Sequence, residues 1–164
     1  MNNLLSQPRK AALYFLYSYW IVTILGTLLT ILFAVLFNPP SPQELGLAAS
    51  QAPAYLMTIP YHPFLNLVVW PWFAWFYWRA LSSIINRKRE MLRLGILWAV
   101  AAILIDLIGW VLIPHPWAMT FKEFYVDYQP WITLVYMIIF GSPVAIVYFQ
   151  ERSNVRLGKA VINR

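Results

Sequence analysis

The sequence predicts an all-α, polytopic membrane protein: a four-transmembrane-helix bundle, both termini cytoplasmic, with two short outer interfacial helices. Three observations carry this prediction. Of 164 residues, 61% are hydrophobic and only 11% charged, where a soluble domain carries about 25% charged residues. Four apolar stretches are long enough to cross a bilayer. All but one of the twelve lysines and arginines fall on one side of those stretches, the asymmetry that orients membrane proteins. A chain of this size cannot hide so much apolar surface from water in one core, so lipid is expected as its solvent. The whole chain, 1–164, reads as a single integral membrane domain.

The first span is Ala11–Phe37. Arg9 and Lys10 precede it as they would a signal peptide, but its ~27 residues exceed a signal core and no small-residue cleavage site follows. A retained helix is expected. It would be roughly 40 Å long against a hydrocarbon core of about 30 Å, so it tilts or projects. The second span is Leu56–Trp78, interrupted by Pro60, Pro63 and Pro71, which leaves a start near Phe64 open. The third, Leu94–Ile113, is the cleanest. The fourth, Trp131–Phe149, contains Gly141-Ser142-Pro143, where the proline should kink the helix and a break is plausible.

With four spans, Arg9 and Lys10, the Arg79 to Arg93 group, and Arg152, Arg156, Lys159 and Arg164 share one side, and only Lys122 lies on the other. That arrangement places the cations among anionic lipid headgroups and argues against the nucleic-acid partner that a net charge of +6 suggests. Between Trp70 and Trp78 stand Trp70, Trp72, Phe73, Trp75, Phe76, Tyr77 and Trp78, pointing around the whole helix. Arg79 and then Arg87, Lys88 and Arg89 follow. Indole and phenol rings favour the headgroup zone, so the stretch reads as a cytoplasmic lipid-headgroup anchor. An aromatic cage for a cationic ligand is the alternative.

The outer loops carry helix-start signals. Ser41-Pro42-Gln43-Glu44 is a capping box with proline at the first helical position, which predicts a short helix over Pro42–Ser50. Thr120-Phe121-Lys122-Glu123 repeats the pattern. Phe121, Phe124, Tyr125 and Tyr128 then form an apolar stripe at helical spacing. This second element either closes the outer end of the bundle or acts as a lid.

Asp106 is the residue most expected to carry function. It is the only acid inside a span, roughly 10 Å from the outer boundary. A carboxylate at such depth costs about 2.5–3.5 kcal/mol on insertion scales and should face protein or water. Ala99, Ala102 and Gly109 share its face and would admit a neighbouring helix. Counting depth from the outer ends selects Asn66, Thr27, Thr30 and Tyr136 as partners in a polar, ligand-binding or proton-coupling layer. The alternative is a helix-packing hydrogen bond. Thr23, Gly26, Thr27 and Thr30 make a small-residue stripe suited to helix–helix contact. His62, His115, Glu123 and Asp127 form an outer polar group.

The histidines lack metal-ligand spacing, and no cysteine exists for a disulfide, thiolate site or nucleophile. No metal or cofactor is expected. In length, and in four spans with both ends inside, the layout resembles lipoprotein signal peptidases. Those enzymes need two aspartates in asparagine-containing motifs. Asp106 has no such second carboxylate, and Asp127 lacks the motif. Tryptophan content resembles that of tryptophan-rich sensory proteins, which typically have five spans. No family follows from either. The expectation is a non-enzymatic plasma-membrane protein, homo-oligomeric, that binds or transports a small or lipidic solute through an outward-facing cavity at Asp106. An accessory subunit of a larger membrane complex is the second reading, and a lipid-active intramembrane enzyme the third.

Overall fold

The computed structural model describes residues 6–81 and 86–162. It is all-α, with four long helices and a short one and no strand among the described residues. Helix α1 runs Ser6–Phe37, α2 Pro53–Thr58, α3 His62–Ala80, α4 Arg87–Asp106 and α5 Trp131–Ile162. Three segments are long and apolar enough to cross a membrane: Pro8–Phe37, Arg87–Leu112 and Trp131–Arg152. They suggest a multi-pass membrane protein. Helix α3 falls outside that group because tryptophan, tyrosine and proline, which make up much of it, add little hydropathy.

The helix ends follow local chemistry. Helix α1 stops at Asn38, whose positive φ of 42° is tolerable for asparagine, and Pro39-Pro40 prevents continuation. Helix α4 starts a full two turns before the apolar run, because the Asn86 side chain caps it by accepting from the Arg89 N–H at 3.2 Å. Its basic first turn opposes the helix dipole. Glu90 offsets this and also accepts from the Tyr77 hydroxyl of α3 at 2.9 Å. Helix α5 stays continuous through Gly141-Ser142-Pro143, so the break that sequence made plausible does not form. The Ser142 hydroxyl donates to the Ile138 carbonyl at 2.6 Å there.

The short outer helix expected over Pro42–Ser50 is replaced by a single turn. Its capping box does form, with the Ser41 N–H on Glu44 Oε2 at 2.8 Å and the Glu44 N–H on Ser41 Oγ at 3.3 Å. Gly46, at φ +65°, then ends the turn at once: its N–H reaches the Gln43 carbonyl and that of Leu47 the Pro42 carbonyl. That is a Schellman termination one turn after the start. The second outer element exists but is wound as a π-helical turn over Glu123–Asp127.

Contacts fix the helix directions. The Trp98 indole donates to the Ala11 carbonyl, and the Tyr19 hydroxyl to Asp106; both pairs are 87 residues apart. Helices α1 and α4 therefore run parallel. Helix α3 opposes α1, since Phe15 meets Trp70 while the later Thr30 meets the earlier Thr58. Helix α5 opposes α4, since Lys88 pairs with Glu151 and Asp106 with Tyr136. One end of the bundle thus holds Arg9, Lys10, Arg79, Arg87, Lys88, Arg89, Arg93 and Arg152, and the other holds Lys122. The side chains of Arg156, Lys159 and Arg164 lie outside the described residues.

The core sits toward the cationic end. It joins Ala11 and Phe15 of α1, Trp70, Ala74 and Tyr77 of α3, Met91, Leu94, Trp98 and Ala102 of α4, and Ile139 of α5. Trp70 and Tyr77 are therefore core residues rather than interfacial rings, because seven residues bring them to one helix face. Trp72 and Phe76 point outward, and Arg79 and Arg87 lie over the rings of Trp75 and Trp78 at 4.8 and 5.1 Å.

The tightest helix approach is at Gly95, not Gly109. A Cβ on Gly95 would stand 2.5 Å from the Phe140 carbonyl oxygen, whereas one on Gly109 meets nothing within 4 Å. Replacing Gly95 with alanine should push α4 from α5 and cost about 1–3 kcal/mol, the usual range for overpacking. A lowered melting temperature in detergent checks this, with Gly109→Ala as a control that leaves it unchanged.

Candidate functional site

Asp106 is the last residue of α4, 8% exposed, and ties three helices together. Its Oδ1 accepts from the Tyr19 hydroxyl of α1 at 2.5 Å and its Oδ2 from the Tyr136 hydroxyl of α5 at 2.7 Å. The chain immediately after it widens into a π-helical turn, Leu107–Leu112. The turn brings the Trp110 indole N–H to the Tyr19 oxygen at 3.4 Å. Because that oxygen accepts from Trp110, its own proton is free to point at Asp106. Both carboxylate oxygens are thereby satisfied without any cation, which is how a buried acid escapes most of its desolvation cost.

Beside this network lies a partly open cavity of about 520 Å³. It lies between α1, α2, the start of α3 and the start of α5, next to the point where Phe33 of α1 packs on Tyr61 just ahead of α3. Tyr19, Thr23, Gly26, Thr27 and Thr30 line it from α1, Tyr55 from α2, and His62, Asn66 and Trp70 from α3. Asp106 and Trp110 close one wall, with Trp131, Ile132 and Val135 of α5 beside them. Trp117, Met119, Phe124 and Tyr128 roof it from the outer strap. The small residues of α1, read from sequence as a helix–helix face, line this space, while Thr30 also meets Thr58 of α2 and Gly26 stands beside His62 of α3.

The strap is fastened on two sides. Glu123 accepts from the Gln51 side chain at 2.7 Å and from the Thr120 N–H at 2.6 Å. The Ser50 hydroxyl donates to the Ala118 carbonyl at 3.3 Å, and the Met119 N–H to the Trp110 carbonyl at 2.8 Å. The Thr120 backbone donor, and after it the Gln51 amide, hold the Glu123 carboxyl below its usual range. These ties join the segment to the residues just before α2 and to the end of the π-helical turn after α4.

Of the residues selected from sequence, Tyr136 binds Asp106 directly. Thr27 and Thr30 line the cavity but donate to carbonyls of their own helix, Thr23 and Gly26. Asn66 also lines it, yet its amide bonds the His62 carbonyl and its oxygen accepts from the Trp70 indole at 2.7 Å. The outer polar group is not one cluster. His62 faces the cavity. His115 staples its own loop, meeting the Gly109 carbonyl at 2.7 Å and accepting from the Trp117 N–H at 3.1 Å. Asp127 pairs with Lys122 at 2.8 Å on the surface. Among the described residues no three histidine or acidic side chains stand close enough to hold a metal ion.

Sequence reasoning did not select Tyr19, Trp110, Tyr55 or Trp117. Depth counted from Phe37 put Tyr19 far below Asp106, because the overlong α1 extends beyond its neighbours. The signal that could have found it is shared spacing: Ala11 to Tyr19 and Trp98 to Asp106 are equal intervals on parallel helices. Compared with known proteins, the chain matches no family model, no curated protein and no solved structure.

Truncating either hydroxyl leaves a buried carboxylate oxygen without its donor, at a cost of about 1–3 kcal/mol. Tyr19→Phe and Tyr136→Phe should each lower the melting temperature in detergent, and the double variant by less than the sum if the carboxylate is already released by the first loss.

Proposed function

We propose that this chain crosses the membrane four times, with α3 as the fourth span, and binds a small or lipidic solute in the cavity beside Asp106. The observation that carries the reading is the cavity itself. Its volume falls within the roughly 300–1,000 Å³ of small-molecule sites, and its apolar wall holds a few convergent polar groups. A carboxylate kept at such a wall marks a functional position in a membrane protein. The cations gathered at one end support cytoplasmic termini and an anionic-lipid contact through Arg79, Arg87, Lys88 and Arg89. Asp106 then lies toward the outer leaflet, and the cavity stands in the outer half of the bundle.

The enzyme reading loses ground on one observation. Among the described residues Asp106 is the only carboxylate lining the cavity, and its direct partners are tyrosines, so no pair of acids suited to hydrolytic chemistry stands among them. The accessory-subunit reading relied on the threonine–glycine stripe, which is turned toward the cavity.

Two measurements test the proposal. The chain has no cysteine, so Lys88→Cys and Lys122→Cys provide single labels. An impermeant maleimide on intact cells should modify position 122 and reach position 88 only after permeabilisation; labelling of 88 from outside would overturn the topology. In native mass spectrometry from detergent, the wild type should retain a bound solute or lipid. Thr27→Trp, which fills the cavity, should lose it, and Asp106→Asn should hold it several-fold less while still folding. Equal retention by Thr27→Trp would remove the cavity as the binding site.

A further inference from the structure

Charge and aromatic content narrow the ligand, given the solute-binding reading above. Among the described residues Asp106 is the single charged residue in the cavity wall, and no lysine or arginine lines it. A bound anion would meet a carboxylate with nothing to neutralise it, in surroundings of low dielectric where that repulsion is strong. A bound cation would complete an ion pair that the fold leaves half made. Asp106 spends one lone pair of each oxygen on Tyr19 and Tyr136, and a carboxylate has about four acceptor positions.

Helix starts do not change the sign. Helix α5 begins at the cavity, but the Ile132 N–H donates to the Tyr128 carbonyl and the Leu134 N–H to the Pro130 carbonyl. The His62 N–H, at the start of α3, donates to the Ile59 carbonyl. These amides are already committed and do not form an anion nest.

The rings supply the second half of the argument. Tyr55 has the Trp117 ring at 6.1 Å and 75°, the Tyr128 ring at 6.1 Å and 53°, and the His62 ring at 5.9 Å. These rings pack on one another and also line the cavity, so together they form one aromatic wall, and ring faces attract a diffuse positive charge laid against them. Trp110 and Trp131 add further faces beside Asp106. A compact ammonium needs its tight hydration shell replaced by several charged or strongly polar oxygens at once, and among the described residues Asp106 is the one charged oxygen donor of this wall. A bulky cation with its charge spread over an apolar body needs only rings and one counter-ion. Thr27 and Ile31 of α1 and Trp117 line the cavity and are themselves exposed, and the cavity is partly open, so such a ligand can be reached from outside the bundle.

We propose that the cavity binds a lipophilic monovalent organic cation of quaternary-ammonium or phosphonium type, with Asp106 as counter-ion and Tyr55, Trp117 and Tyr128 as its aromatic receptor. The cation is either a free amphiphile or the headgroup of a choline lipid; the recognition chemistry is the same.

The test compares two ions of nearly equal size and opposite charge, tetraphenylphosphonium and tetraphenylborate. Binding is measured on the immobilised full-length protein in a non-ionic detergent, with Thr27→Trp as the blocked blank. Phosphonium should bind at least about tenfold more tightly than borate, a gap of order one ion pair plus ring contacts. Asp106→Asn should weaken phosphonium about tenfold and leave borate no weaker. Trp117→Leu, which spares the buried network, should weaken phosphonium several-fold and keeps the test open if Asp106→Asn does not fold. Phosphatidylcholine in the micelles, set against phosphatidylglycerol, should compete with phosphonium if a lipid headgroup is the natural source and not if it is a free amphiphile. Equal affinity for both ions, or a preference for borate, overturns the cation assignment while leaving a solute-binding cavity in place. If neither ion binds above the Thr27→Trp blank, the cation assignment fails; if native mass spectrometry also finds no retained solute, the solute-binding reading fails with it.

Discussion

A single buried carboxylate organises the outer half of this molecule. Among the described residues Asp106 has no cationic partner, and the fold supplies two phenolic hydroxyls from two different helices. An acid left bare in an apolar interior would cost several kcal/mol, whereas one with both oxygens hydrogen-bonded can be tolerated. That requirement sets the relative heights of α1, α4 and α5. It also accounts for the π-helical turn after Asp106, which swings Trp110 back toward Tyr19 at the cost of regular α-helical winding.

The rest of the architecture divides around that point. On the cationic side, packing is dense: Trp70, Trp98, Tyr77 and Met91 are all but fully buried, and Gly95 lets α4 press on the backbone of α5. On the other side α1 is packed on one flank only, with Leu28, Ile31, Val35 and Leu36 exposed. There α1 is held by α2 and the start of α3 and not by α4 or α5. A helix of 32 residues beside partners of 19 and 20 cannot be packed along its whole length by them. The space left over is the cavity.

How much of this could be read from sequence follows the range of the forces involved. Helix class and the long elements were legible because apolar length is a local property. Asp106 stood out because a lone acid among apolar residues is a local anomaly. Asn86 as a cap and Gly46 as a stop were present as signals and act over four or five residues, yet the capping box at Ser41 predicted a helix where Gly46 permits only a turn. Tyr136 was reachable by counting depth. Tyr19 was not, because counting assumes that helices share an outer boundary, and α1 does not share it. The aromatic wall of the cavity was the least legible part. Tyr55, Trp117 and Tyr128 come from separate outer segments, and nothing in their spacing brings them together before the strap folds over. The ring-rich run from Trp70 to Trp78 drew the eye instead, and it proved to be split between core and outer surface.

The pairing of Tyr19 with Asp106 also imposes an order in time. The tyrosine leaves the ribosome 87 residues ahead of its acceptor, and the third member of the trio, Tyr136, follows 30 residues later still. Until then α4 carries a carboxylate with at most one of its donors in place, and the nascent chain must harbour that incomplete arrangement through the emergence of the outer strap. Biogenesis is therefore finished only by α5: its arrival supplies the last proton donor and the second wall of the chamber in the same step.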